Sequence, residues 1–174
     1  MDEEVDVIRS VVTTGTFDGI HIGHQVIIKR INELAKEVDG ESILITFHPH
    51  PRKVLYPDTL GKDIKMINTQ REKIAMLETT GLDRLVIMLF TKEFANTSSD
   101  EFIRKILVEK LRIKKSVVGF NHFFGFNKEG NYEQLTALGM ELGFGVEEIP
   151  EQDIQNETVS STKIRKAIQE GNIQ

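Results

Sequence analysis

Val11-Val12-Thr13-Thr14-Gly15-Thr16-Phe17-Asp18-Gly19-Ile20-His21-Ile22-Gly23-His24 is the stretch on which the reading of this chain turns. It opens with a β-branched run, Val11 to Thr14, which reads as a buried strand. Gly15 and Gly19 follow, where the backbone must turn tightly. Then come His21-Ile22-Gly23-His24 and an apolar helical pattern: Val26, Ile27, Ile28, Ile31, Leu34, Ala35. The two histidines therefore stand where a strand ends and a helix begins. Free backbone N–H groups and the helix dipole favour a phosphate at such a junction. Gly23 leaves no side chain between the histidines, so an anion can approach the backbone. A His-x-x-His pair by itself also serves as a metal pair or as helix caps. The order strand, glycine turn, histidines, helix places phosphate chemistry ahead of both.

Composition narrows the classes. The chain has 174 residues, which suits one domain over 1–174. With 39% hydrophobic and 28% charged residues it is an ordinary globular composition. The net charge is -5 and the basic residues are scattered, which argues against a nucleic-acid partner. The chain contains no cysteine, so disulfides and thiolate catalysis are excluded, which suits a reducing cytoplasm. No apolar run approaches membrane-spanning length, and Met1-Asp2-Glu3-Glu4 is acidic where a secretory signal is basic.

Strands and helices alternate along the rest. Ile43–Phe47 reads as a second strand, after Gly40 closes the first helix. Thr69-Gln70-Arg71-Glu72 has capping-box spacing and opens a helix through Leu77, stopped by Gly81. Arg84–Phe90 is a third strand, so apolar that it reads as covered on both faces. Ser98-Ser99-Asp100-Glu101 starts a helix with Phe102, Ile103, Ile106, Leu107 and Leu111 on one face. Ser116–Gly119 and Val146–Ile149 read as the fourth and fifth strands, with a helix over Tyr132–Leu142 between them. Ser160–Gln169 is the last helix, with Ile164, Ala167 and Ile168 inward. The alternation predicts an α/β fold with a mainly parallel five-stranded sheet flanked by helices. Ligands of such sheets bind beyond the carboxyl ends of the strands.

Three further stretches fall at those ends. In Thr46-Phe47-His48-Pro49-His50-Pro51-Arg52 two prolines stiffen the chain, and the loop that continues to about Met66 is long enough to suggest a binding role. His48 and His50 are read equally as ligand contacts or as makers of local hydrogen bonds. In Gly119-Phe120-Asn121-His122-Phe123-Phe124-Gly125-Phe126, four of the ten phenylalanines crowd one loop. Such a loop suits a flat heteroaromatic ligand, with at least one ring expected to plug the core. In Val159-Ser160-Ser161-Thr162-Lys163-Ile164-Arg165, capping explains one hydroxyl. Three followed by an arginine suit an anion held by hydroxyls, N–H groups and a forked guanidinium.

The first motif resembles the His-x-Gly-His signature of the nucleotidyltransferase superfamily. All four together resemble the adenylyltransferase (FAD synthetase) module of the bacterial bifunctional riboflavin kinase/FAD synthetases, from about Val11 onward. His122 departs from the commoner aromatic residue, and the C-terminal riboflavin kinase domain of that family is absent from this chain. The resemblance implies a Rossmann-like fold and an enzyme that transfers AMP from ATP to FMN, giving FAD and pyrophosphate. It implies His21, His24 and Arg165 as catalytic residues. It implies Gly15, Thr16, Phe17, Asp18, Gly23, Ser160, Ser161, Thr162 and Arg165 at ATP. It implies Pro49, His50, Pro51, Arg52, Asn121, Phe123 and Phe124 at FMN. Mg2+ is expected to bridge the phosphates without direct protein ligands, with Asp18 the candidate for indirect contact. The partners expected are ATP, FMN and, in a full-length protein, a riboflavin kinase domain; no nucleic acid or membrane is expected. The rival readings are a nucleotidyltransferase with a non-flavin phosphorylated acceptor and a catalytically silent nucleotide- or flavin-binding module.

Overall fold

The computed structural model describes residues 9–120, 124–125, 130–151, 153–154 and 157–172. Its centre is β1 (Ser10–Thr14), whose Val11 and Val12 are fully buried. β1 pairs in parallel with β2 (Glu41–His48) on one side and β4 (Ile113–Gly119) on the other. β3 (Arg84–Leu89) extends the sheet beyond β2, and β5 (Gly145–Ile149) beyond β4. The order is β3-β2-β1-β4-β5, parallel throughout, as the alternation predicts. The chain winds outward in both directions from β1, so the crevice expected of such sheets opens at the carboxyl end of β1.

Successive side chains of a strand point to opposite faces, and the core divides accordingly. Val12, Ile43, Ile45 and Val118 face one layer. That layer holds α6 (Tyr132–Leu142) and the helical run that begins as α5 (Ser99–Glu101). Their neighbours Val11, Leu44 and Val117 face α1 (Ile22–Glu37) and α3 (Gln70–Glu78). From Phe102 to Lys110 the α5 run continues with the wider i→i+5 winding, and its Phe102, Ile103 and Leu107 are buried as the periodicity predicts.

Several expectations are revised. β3 is an edge strand, with Leu89 69% exposed, so its apolar run is not covered on both faces. The left-handed residue that closes α1 is Asp39 (φ 51), not Gly40. The stretch after Pro49 is not all loop, since α2 (Pro51–Leu55) starts within it. A second short helix, α4 (Lys92–Ala95), and a hairpin, β6 (Asp153–Ile154) with β7 (Glu157–Thr158), carry no periodicity long enough to read. The last helix, α7 (Ser161–Gln169), buries no residue, and Ile168 is exposed. Among the described residues no helix is long and apolar enough to cross a membrane.

Candidate active site

Beyond Thr14 the chain keeps one more rung of the ladder, from Gly15 N–H to the Ile45 carbonyl at 3.0 Å, and then turns. The turn is strained. Phe17 (φ 46) and Ile20 (φ 37) hold left-handed conformations that ordinary residues avoid at about 1–3 kcal/mol each. Burial holds them there, with Phe17 and Ile20 packed among Ile28, Leu44 and Leu77. Gly19 (φ 87) holds a left-handed backbone that side chains disfavour, and a Cβ there would also press on Ile67 Cδ1 at 2.8 Å. Two polar groups fix the turn from beneath. The Thr16 carbonyl accepts from Lys73 Nζ at 2.8 Å and from Thr46 Oγ1 at 3.1 Å. The wholly buried Asp18 carboxylate accepts from the N–H groups of Ile67 (3.0 Å) and Asn68 (3.3 Å).

The turn delivers His21 and His24 to the start of α1. His21 occupies the N-cap position and makes no side-chain cap. By contrast α2, α3, α4, α5, α6 and α7 are capped by His50, Thr69, Thr91, Ser98, Asn131 and Ser160. No acidic residue stands in the first turn of α1 either. Its leading N–H groups, Gly23 among them, are thus left to a ligand. The two imidazoles stack with centroids 3.7 Å apart, and Phe17 packs on His24 at 4.6 Å. The Nδ1 atoms of both histidines are buried without a hydrogen-bond partner. Burial lowers the His24 pKa to about 3, helped by His21 and by the Lys73 charge. Burial lowers that of His21 too, against the opposing pull of Asp18. At neutral pH both rings are uncharged donors, able to hydrogen-bond a phosphate without holding it as a cation would.

The hydroxyl cluster divides its labour. Ser160 caps α7, accepting from the Lys163 N–H, and Ser161 Oγ donates to the Asp18 carbonyl at 2.8 Å. Thr162 is exposed and lines a cavity. Arg165 places Nε at 3.1 Å and Nη2 at 2.7 Å from Asp18 Oδ2. Asp18 is thereby the anchor on which α7 and the 67–68 segment meet the histidine turn. With its oxygens taken by these donors, Asp18 does not face outward toward a metal. Among the described residues no group of three or more His, Asp or Glu is placed to hold a metal ion.

Beside Arg165 lies the cavity, about 330 Å³, bordered by Arg52, Lys65, Thr162 and Lys166, with Asp63 its sole carboxylate. Four cations face it, counting Arg165, so it suits an anionic group. His50 is buried and caps α2 by accepting from the Arg52 N–H at 3.1 Å, which is the local role weighed above. Burial brings its pKa down to about 4, assisted by the nearby Arg165 charge. Pro49 and Pro51 are half-buried, and His48 is exposed. Phe124 packs on Phe102 at the edge of the core, so it is a ring that plugs the interior as expected. Asn121 and Phe123 lie outside the described residues, as do His122 and Phe126.

Lys73 belongs to none of the four motifs, yet its ammonium stands between the turn and the end of β2. The available signal was its spacing: it lies one helical turn before the buried Leu77, on the apolar stripe of α3. A lysine on a buried stripe is rare enough to ask what it meets.

The buried histidines set a pH dependence. His24 and His50 titrate near 3 and 4 in the folded chain against an ordinary 6.5. Between those limits the unfolded chain binds protons that the folded one refuses. Stability is therefore complete above about pH 6.5 and falls as the pH drops toward 4. Denaturant midpoints from pH 7.5 to 4.5 should show this decline, and His24→Asn should make it shallower. An unchanged slope in the variant would remove His24 as its source.

Known proteins resemble this chain over most of its length. The family model described as FAD synthetase matches residues 4–163. A Buchnera aphidicola (subsp. Acyrthosiphon pisum) protein named bifunctional riboflavin kinase/FMN adenylyltransferase is 36% identical over 165 residues, 95% of this chain and 52% of its own length. Proteins of the same name from Listeria monocytogenes and Escherichia coli K12 are 32% and 30% identical, over 99% and 94% of this chain. The chain spans about half the length of these relatives, 54% and 51% in the last two. Among solved structures, a Streptococcus pneumoniae protein described as a macrolide-efflux protein superposes with a TM-score of 0.81 at 29% identity, covering 95% of this chain and 54% of its own.

Proposed function

The chain belongs to the FAD synthetase family, and from that premise we propose that it transfers the adenylyl group of ATP to the phosphate of FMN, giving FAD and pyrophosphate. One observation carries the reading furthest: among the described α-helices, α1 alone starts without a side-chain cap, behind two stacked neutral histidines, at the carboxyl end of the central strand. An FMN phosphate oxygen attacks the α-phosphorus of ATP in line. The bond from that phosphorus to the bridging oxygen breaks, and its electrons leave with pyrophosphate. The nucleophile is already an anion, so no general base is required. The protein supplies orientation and hydrogen bonds to the charge that gathers on the leaving oxygens.

In this reading His21, His24 and the first N–H groups of α1 meet the α- and β-phosphates. Gly15, Thr16 and Phe17 flank the adenosine. Thr162 and the cations around the cavity receive the distal phosphates. Arg165 is held in place by Asp18, which leaves Nη1 to turn toward that end. Pro49, Pro51 and Arg52 form the flavin side, where His50 accepts from the Arg52 N–H. Magnesium enters as part of the Mg·ATP substrate, since Asp18 is filled by its own donors. A chain without cysteine suits a reducing cytoplasm as the setting of this reaction.

The test is chromatography of the flavins and assay of pyrophosphate after incubation with FMN and Mg·ATP. FAD and pyrophosphate should appear in equal amounts, and riboflavin in place of FMN should give no FMN. Pyrophosphate release only with a non-flavin phosphorylated acceptor, or nucleotide binding with no release, would overturn the proposal.

A further inference from the structure

We infer that Lys73 is a positioning residue for this transfer, holding the Thr16 carbonyl so that the next N–H, that of Phe17, is presented to the nucleotide phosphates. The inference rests on the reaction proposed above. Lys73 is 3% exposed, and its Nζ lies 2.8 Å from Thr16 O and 3.3 Å from Thr46 Oγ1. Thr46 Oγ1 donates to the same carbonyl at 3.1 Å. A trans peptide is planar, with its C=O and N–H pointing opposite ways. Two donors that fix the Thr16 carbonyl toward α3 and β2 therefore direct the Phe17 N–H to the other side of the turn. That N–H has no intramolecular partner among the described residues. It belongs to the residue whose ring packs on His24.

The charge of Lys73 needs a reason beyond packing. Its neighbour Asp18 is already held by Arg165, and among the described residues Lys73 makes no ion pair of its own. A buried ammonium without a carboxylate is costly, and an apolar side chain of similar volume would serve the α3 stripe more cheaply. What an apolar residue could not do is hold the carbonyl against the left-handed Phe17 that follows.

The absence of cysteine makes a direct test available. Lys73→Cys introduces the molecule's sole thiol. It is alkylated in denaturant with 2-bromoethylamine or with 1-bromopropane, and each product is refolded and checked by circular dichroism. The first rebuilds an ammonium of lysine's length, and the second fills the space without charge. Lys73→Cys and the propyl product should lose at least about 10-fold in kcat with KM for ATP changed less, the pattern of a misplaced transition-state donor. The aminoethyl product should regain most of the loss. Equal rescue by both adducts, or an undiminished kcat in Lys73→Cys, would reduce Lys73 to a space-filler. A second readout needs no acceptor. With 15N-phenylalanine labelling, Mg·ATP should shift the Phe17 amide in the unmodified chain and the aminoethyl product, and not in the propyl one. Shifts alike in all three overturn the inference. The expected shifts without FAD formation count against the reaction and leave the positioning of Phe17 supported.

Discussion

Replacing Asp18 with Ala should lower the unfolding free energy by about 3–5 kcal/mol, the usual cost of stranding one member of a buried ion pair. The carboxylate is wholly buried and the Arg165 side chain is 11% exposed, so water can do little to relieve the orphaned guanidinium. Two backbone N–H groups, those of Ile67 and Asn68, lose their acceptor as well. Since α7 buries no residue of its own, its attachment depends on Asp18 through Arg165 and through the carbonyl that Ser161 meets. Asp18→Ala should accordingly also expose α7 to proteolysis. Denaturant titration reads the first effect. The pair Asp18→Ala with Arg165→Ala should cost less than the two losses added, because the stranded charge is then gone. A loss under about 1 kcal/mol for Asp18→Ala, the range of exposed pairs, would mean that the contact is not the anchor described.

His24→Ala should lower kcat for FAD formation by about 10²–10³-fold, the loss found for one donor aimed at developing charge. The ring is neutral at the working pH, with its pKa near 3, so its part is to donate a hydrogen bond and not to hold ATP by charge. KM for ATP should therefore move much less than kcat. His24→Ala must also leave a gap beside Phe17 and His21, which both pack against the ring, so His24→Asn is the better-shaped control and should share most of the loss. Near-normal turnover with a raised KM would assign His24 to ground-state binding.

The sheet was readable from the sequence because its inner strands are β-branched runs with glycine or polar punctuation on either side. Val11–Thr14 and Ile43–Phe47 fall inside β1 and β2 for that reason. The edge position of β3 is not legible, because apolar content does not say whether a strand is inner or edge; Ile87 and Leu89 are exposed all the same. In the site, the strand–turn–helix arrangement of His21 and His24 was legible because it is local. Asp18 and Lys73 were not, because their meaning comes from partners far off. The Ile67 N–H arrives from 49 residues away and the Arg165 guanidinium from 147. Likewise an acid among histidines suggests a metal in sequence. Only the fold shows that its oxygens are taken by backbone amides and an arginine.

That long reach between Asp18 and Arg165 has a consequence for biosynthesis. The histidine turn leaves the ribosome well before α7, which emerges after every strand of the five-stranded sheet has been made. Until then Asp18 has no guanidinium, and the strained backbone at Phe17 and Ile20 lacks one of its braces. Contacts of such sequence separation also close slowly. A nascent chain can therefore bury Val11, Val12 and the α1 stripe while its histidine turn is still loose, and that turn takes its last brace only as α7 comes free.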